Sequence, residues 1–87
     1  MIQVVFYPPF SQKAGIKKFS FRYSKGMTIN GLLKNIIDLY PDLSVHLNPN
    51  EFEGENVLVV IKGRIVSWKT KIEDNSEVTL LPTCGGG

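Results

Sequence analysis

Thr28-Ile29-Asn30-Gly31-Leu32-Leu33-Lys34-Asn35-Ile36-Ile37-Asp38-Leu39-Tyr40 is the one long stretch of helical periodicity in the chain. Ile29, Leu32, Leu33, Ile36, Ile37 and Tyr40 recur at spacings of three and four, which lays one broad apolar stripe along a helix. Thr28 supplies an N-cap hydroxyl. Pro41 stops the helix near Tyr40, because proline disfavours helical geometry in the residue before it. An amphipathic helix must bury its stripe on another element, and the remaining apolar segments have the short, alternating pattern of strands.

On the N-terminal side, Ile2, Val4 and Phe6 alternate with Gln3, Val5 and Tyr7 until Pro8-Pro9 ends the strand. Ser11 to Lys17 is polar with Gly15 inside it and predicts a loop. Phe19, Phe21 and Tyr23 then alternate with Lys18, Ser20 and Arg22, a second strand with one aromatic and one solvated face. On the C-terminal side, residues 42–56 predict a long connection with a short helical turn around Leu43 to Leu47. Val57 to Ile61 is an unbroken apolar run, the pattern of a strand buried on both faces. Lys62-Gly63 predicts a tight hairpin to a strand over Arg64 to Trp68. Asp74-Asn75-Ser76 is a turn, and Val78 and Leu80 alternate with Thr79 and Leu81 in the last strand.

The order ββαβββ predicts an α+β fold: a mixed sheet of four to five strands packed on one main helix, the β-grasp or ubiquitin-like arrangement. Residues 1–82 form that domain and residues 83–87 a flexible glycine-rich tail. In such a sheet the first and last strands are parallel central neighbours. Parity then puts Ile2, Val4, Phe6, Val78 and Leu80 on the helix side and Val5, Tyr7, Thr79 and Leu81 on the other.

With 87 residues the chain holds one core and no separate substrate domain. A formal charge of only +2, with cations spread along the chain, argues against a nucleic-acid binder. No apolar run is long enough to span a membrane. The N-terminus lacks the basic region and cleavage site of a secretory signal. Cys84 is the only cysteine, which excludes an internal disulfide and fits a reducing, cytoplasmic setting.

The chain ends Leu80-Leu81-Pro82-Thr83-Cys84-Gly85-Gly86-Gly87. At an average glycine frequency of about 7%, a terminal triplet arises by chance roughly once in three thousand. Glycines let a tail slide extended into a narrow cleft, leaving the Gly87 carboxylate as its only reactive group. An ionised carboxylate is a poor electrophile and needs activation, for example as an acyl-adenylate. The chain has no phosphate-cradling loop, so the nucleotide would belong to a partner.

These residues resemble the ubiquitin-like sulfur carriers, which include the small subunit of molybdopterin synthase and the thiamine-pathway carrier. The first strand Ile2-Gln3-Val4-Val5-Phe6-Tyr7, the Thr28-capped helix, the Val59-Val60-Ile61-Lys62-Gly63 turn and the run from Ile72 to Pro82 before the terminal glycines carry the likeness. The third glycine, Cys84 and the lysine at the turn depart from the usual pattern. Tyr40-Pro41-Asp42-Leu43 and the connection after it are similar to the longer carriers, those of molybdopterin assembly or of cysteine synthesis.

The resemblance implies a carrier or cosubstrate and not an enzyme, although such a chain can be the small subunit of a molybdopterin synthase. It implies no bound cofactor. An adenylyltransferase similar to ubiquitin-activating enzymes would adenylate Gly87 with ATP and magnesium. A persulfide donor would then leave a thiocarboxylate, and an acceptor such as the large subunit of molybdopterin synthase would take the sulfur. Thiamine or cysteine synthesis, or conjugation to proteins as a ubiquitin-like modifier, uses the same activation. Gly85 and Gly86 would give clearance in the partner's channel, and Tyr7, Leu81, Val5 and Pro82 would dock the partner. Cys84 lies close enough to reach the terminal carbonyl, yet an exposed thiol of ordinary pKa is mostly protonated, and the spacer reading is preferred. His46, the only histidine, has no second ligand beside it and reads as a surface or capping residue, with no metal site implied. Trp68 with Lys69 and Lys71 lacks the second stacking aromatic that single-stranded nucleic acid would call for.

Overall fold

The computed structural model describes residues 1–47 and 57–83. Five strands form one sheet: β1 (Ile2–Phe6), β2 (Lys18–Phe21), β3 (Val57–Ile61), β4 (Arg64–Ile65) and β5 (Glu77–Pro82), in the order β2-β1-β5-β3-β4. β1 and β5 are parallel and central, and every other pairing is antiparallel. Three helices, α1 (Phe10–Ala14), α2 (Ile29–Leu39) and α3 (Ser44–Leu47), with a 3₁₀ turn at Pro41–Leu43, complete the described residues.

The apolar stripe of α2 and the alternate residues of the central strands make one core. Ile29, Leu32, Leu33 and Ile36 meet Ile2, Val4, Phe6, Val57, Val59, Val78 and Leu80, all essentially without solvent contact. Burying side chains of this size contributes about 1.5–3 kcal/mol each. The core is closed at its ends by Phe10, Leu43, Leu47, Trp68 and Ile72.

The N-terminus of α2 shows why β4 is short. Thr28 Oγ1 accepts from the Gly31 amide at 3.2 Å, as the N-cap reading requires. The amides of Ile29 and Asn30 donate to the carbonyls of Thr70 and Trp68, at 3.0 and 2.8 Å. A helix leaves its first four N–H groups without intrahelical partners, and here the chain after β4 satisfies two of them. The strand expected over Arg64 to Trp68 therefore stops at Ile65, and Trp68 turns into the core with 5% of its surface exposed. A stacking platform for nucleic acid is not available from a buried indole.

Two other expectations are corrected. The segment from Ser11 to Lys17 is not wholly a loop, because α1 occupies Phe10–Ala14. The Tyr7 carbonyl accepts from the amides of Phe10 and Ser11 at 2.9 and 3.2 Å, and Gly15 ends the helix at φ 75°, a left-handed conformation glycine adopts without strain. β3 is buried on one face only, with Leu58 and Val60 half-buried, because all three helices lie on the other side of the sheet. The Lys62-Gly63 hairpin is present, both residues at positive φ, 52° and 76°. Residues 48–56, the remainder of the expected connection, lie outside the described residues.

Candidate functional site

The register of the strands assembles a row across the uncovered face. Lys18 pairs with Val5, Val5 with Thr79, Thr79 with Val60, and Val60 with Ile65, so one residue from each strand shares this side of the sheet. The next row pairs Leu81 with Leu58. Ile65 is 68% exposed, while Val5, Thr79, Val60, Leu58 and Leu81 are half-buried. Parity in each strand dictates this: the residue between two core residues must point the other way.

Tyr7 lies at the end of β1, with 49% of its surface exposed. Its amide donates to the Leu80 carbonyl at 3.1 Å, and its carbonyl receives the two amides of α1. The backbone of Tyr7 is thus fixed beside Leu81, where β5 approaches its end. Pro82 pairs with Val57, whose side chain is in the core. Pro82 therefore belongs to the helix-side register, exposed at the end of β5, while Val5, Tyr7 and Leu81 belong to the open side. Cys84, Gly85, Gly86 and Gly87 lie outside the described residues.

Leu58, Val60 and Ile65 were not expected on this face. The unbroken run Val57 to Ile61 hides its own alternation, and only the pairing with β5 shows which residues point outward. Ile65 could have been found from the hairpin: a two-residue turn at Lys62-Gly63 puts Ile65 opposite Val60.

His46 packs edge-on against Phe10, with ring centroids 5.5 Å apart. Its Nε2 is covered and has no hydrogen-bond partner among the described residues. Desolvation, aided by the charge of Lys13, holds the imidazole below its ordinary pKa of 6.5. His46 is accordingly a packing residue between α1 and α3. Among the described residues there is no group of three or more histidine, cysteine, aspartate or glutamate side chains placed to hold a metal ion. No described helix is long and apolar enough to cross a membrane.

Solved structures share this architecture at low sequence identity. SAMP1 from Haloferax volcanii superimposes with a TM-score of 0.81 at 17% identity, covering 99% of this chain and 98% of that one. A putative molybdopterin converting factor subunit 1 from Pyrococcus furiosus gives 0.79 at 22% identity, over 95% and 97% of the two chains. A chain of the Amycolatopsis orientalis BexX/CysO complex gives 0.78 at 17% identity, over 100% of both. No curated protein matches the chain in sequence. These likenesses establish the β-grasp fold. The ThiS family model matches residues 4–87, from the first strand through the terminal glycines, and the chain belongs to that family of ubiquitin-like sulfur carriers.

Proposed function

We propose that this chain carries sulfur on its terminal glycine, most directly for molybdopterin synthesis. The observation that supports the reading is the parallel pairing of β1 with β5. It makes the strand leading to Thr83-Cys84-Gly85-Gly86-Gly87 a central one, anchored on both sides, with the apolar row of Val5, Val60 and Ile65 beside it. A partner seated on that row would hold the tail in one direction. Orientation of this kind lowers the entropy cost of bringing the carboxylate to a reaction centre.

In the proposed cycle a partner adenylyltransferase binds ATP and magnesium. A Gly87 carboxylate oxygen attacks the α-phosphate and pyrophosphate leaves. The terminal sulfur of a persulfide attacks the acyl carbon and AMP leaves, giving an acyl disulfide. A thiol reductant then cleaves the S–S bond and releases the thiocarboxylate. The acceptor enzyme takes the sulfur, and water restores the carboxylate. The chain is the cosubstrate throughout. Cys84 acts as a spacer, and Cys84→Ser should transfer sulfur at the normal rate.

Cysteine or thiamine synthesis would use the same steps with another acceptor. Conjugation to lysines of other proteins is a second reading, favoured by the shape shared with the H. volcanii small archaeal modifier protein 1, a TM-score of 0.82 at 13% identity over 95% of this chain and 97% of that one. Intact mass after incubation with the adenylyltransferase, ATP, magnesium and a sulfur donor tests the carrier reading. Replacement of one Gly87 oxygen by sulfur, located by fragmentation, is the expected result. An unchanged mass with an adenylyltransferase active on another carrier overturns it. Conjugates that survive reducing denaturation would move the assignment to the modifier.

A further inference from the structure

A second feature lies at the other end of the sheet. A cavity of about 500 Å³ is lined by Ile61, Lys62, Arg64, Val66, Lys71 and Glu73, with Thr70 and Ser76 completing it. Ile61, at this end of β3, pairs with Val78, whereas Val57 at the opposite end pairs with Pro82, where β5 ends and the tail begins. Four residues separate the two pairs, so the cavity sits roughly 13 Å along the sheet from the tail's departure point.

Its charge is unusual for this chain. Among the described residues, three cations and one carboxylate line the cavity, a surplus equal to the formal net charge of +2. Among the described residues, Lys62, Arg64 and Lys71 are exposed and make no ion pair; the ion pairs there join Met1 to Asp74 and Lys18 to Glu77 instead. The backbone that carries them is well fixed. Lys62 sits in the hairpin turn, Arg64 pairs with Ile61, and Lys71 bridges to Thr28 at the start of α2. Half-buried Ile61 and Val66 form an apolar floor between cations held on two separate segments.

We propose that this cavity docks an acidic, partly apolar segment of a protein partner, seated on Ile61 and Val66 with its carboxylates paired to Lys62, Arg64 and Lys71. Cations distributed around a floor suit carboxylates spaced along an extended chain better than one compact phosphate, which needs convergent donors. A nucleic acid is disfavoured because no described residue lining the cavity is an aromatic that could stack a base, Trp68 being buried, and because Glu73 faces the same cavity. The inference does not depend on the tail chemistry, and its failure would leave the carrier reading untouched.

The test is an amide-resolved NMR titration of the full-length, nitrogen-15-labelled chain. The probes are a ten-residue peptide of alternating glutamate and leucine, inorganic phosphate, and a single-stranded oligonucleotide of equal charge. The peptide is expected to shift residues 61–66 and 70–76 saturably, with binding lost as salt shortens the Debye length from about 10 Å to about 3 Å. The exposed-site variant Lys62→Gln/Arg64→Gln/Lys71→Gln should weaken the peptide about tenfold or more with an unchanged spectrum elsewhere. Lys13→Gln/Lys17→Gln, at the other end of the molecule, should bind as the parent does. Equal shifts at Lys13 and Lys17, tighter binding of phosphate or oligonucleotide at residues 61–76, or no saturable peptide binding would each overturn the proposal.

Discussion

The Tyr7 amide donates to the Leu80 carbonyl at 3.1 Å, one residue past the pairing of Phe6 with Leu80 that ends the register of the two parallel central strands. The hydrogen bond fixes the open-face end of β1 against the strand that leads to the tail. Tyr7→Ala combined with Leu81→Ala should therefore weaken binding to the adenylyltransferase, by about 1 kcal/mol or more for each truncated contact at the centre of an interface. Neither side chain belongs to the core, so the melting temperature should fall by only a few degrees. Calorimetric titration and a thermal melt separate the two effects, and an unchanged affinity would remove Tyr7 and Leu81 from the docking surface.

Deleting Gly86 and Gly87 should leave the fold intact, because the last strand pair, Val57 with Pro82, lies before the tail. The same deletion should abolish formation of the acyl-adenylate, since the new terminus cannot reach as far into a partner's channel. Each residue removed shortens an extended tail by about 3.3–3.6 Å. Pyrophosphate release with the partner enzyme measures this directly, and continued release at the parental rate would show that the reacting group is not at the end of the tail.

The fold was legible because its elements have contrasting periods. A helix stripe at three and four spacings, Thr28 before it and Pro41 after it, leaves one reading, and alternation in β1 and β5 fixes which side each residue faces. Two places were illegible for physical reasons. Five residues are too few to display a helical stripe, so α1 was hidden, although Pro8-Pro9 before it and Gly15 after it are the usual asymmetric boundaries. The run Val57 to Ile61 is apolar at every position, so composition cannot distinguish Val59, in the core, from Val60, on the open face. Leu58 and Val60 were lost from the open face for that reason. The basic cavity depends on the bridge of Lys71 to Thr28 and the pairing of Arg64 with Ile61, contacts between segments that no local pattern encodes.

Thr28→Ala should destabilise the domain by about 1 kcal/mol, within a range of about 0.5–2, because the Gly31 amide loses the side-chain oxygen that satisfies it. Thr28→Ser keeps the hydroxyl and should restore most of the loss. Urea unfolding curves with parallel slopes would confirm a native-state capping effect. A Thr28→Ala midpoint equal to the parent's would show that the carbonyls of Thr70 and Trp68 suffice to hold the start of α2.

Stability should also depend on pH through His46. The folded protein holds this imidazole below its ordinary pKa of 6.5, first by desolvation against Phe10 and then by repulsion from Lys13. The unfolded chain therefore takes up the proton at a higher pH than the folded one, and unfolding is accompanied by proton uptake between the two values. The contribution is complete above pH 6.5, declines as pH falls through that value towards the folded-state pKa, and is constant below it. Asp74 behaves separately. Its carboxyl is held below 3.8 by the hydrogen bond from the N-terminal ammonium and by the Asn75 amide, so its contribution is lost only at more acidic pH. Urea midpoints measured from pH 8 to pH 5 should fall for the parent chain and stay flatter for His46→Gln, which packs a neutral side chain at every pH. Parallel pH profiles for the two proteins would show that His46 titrates alike in the folded and unfolded states.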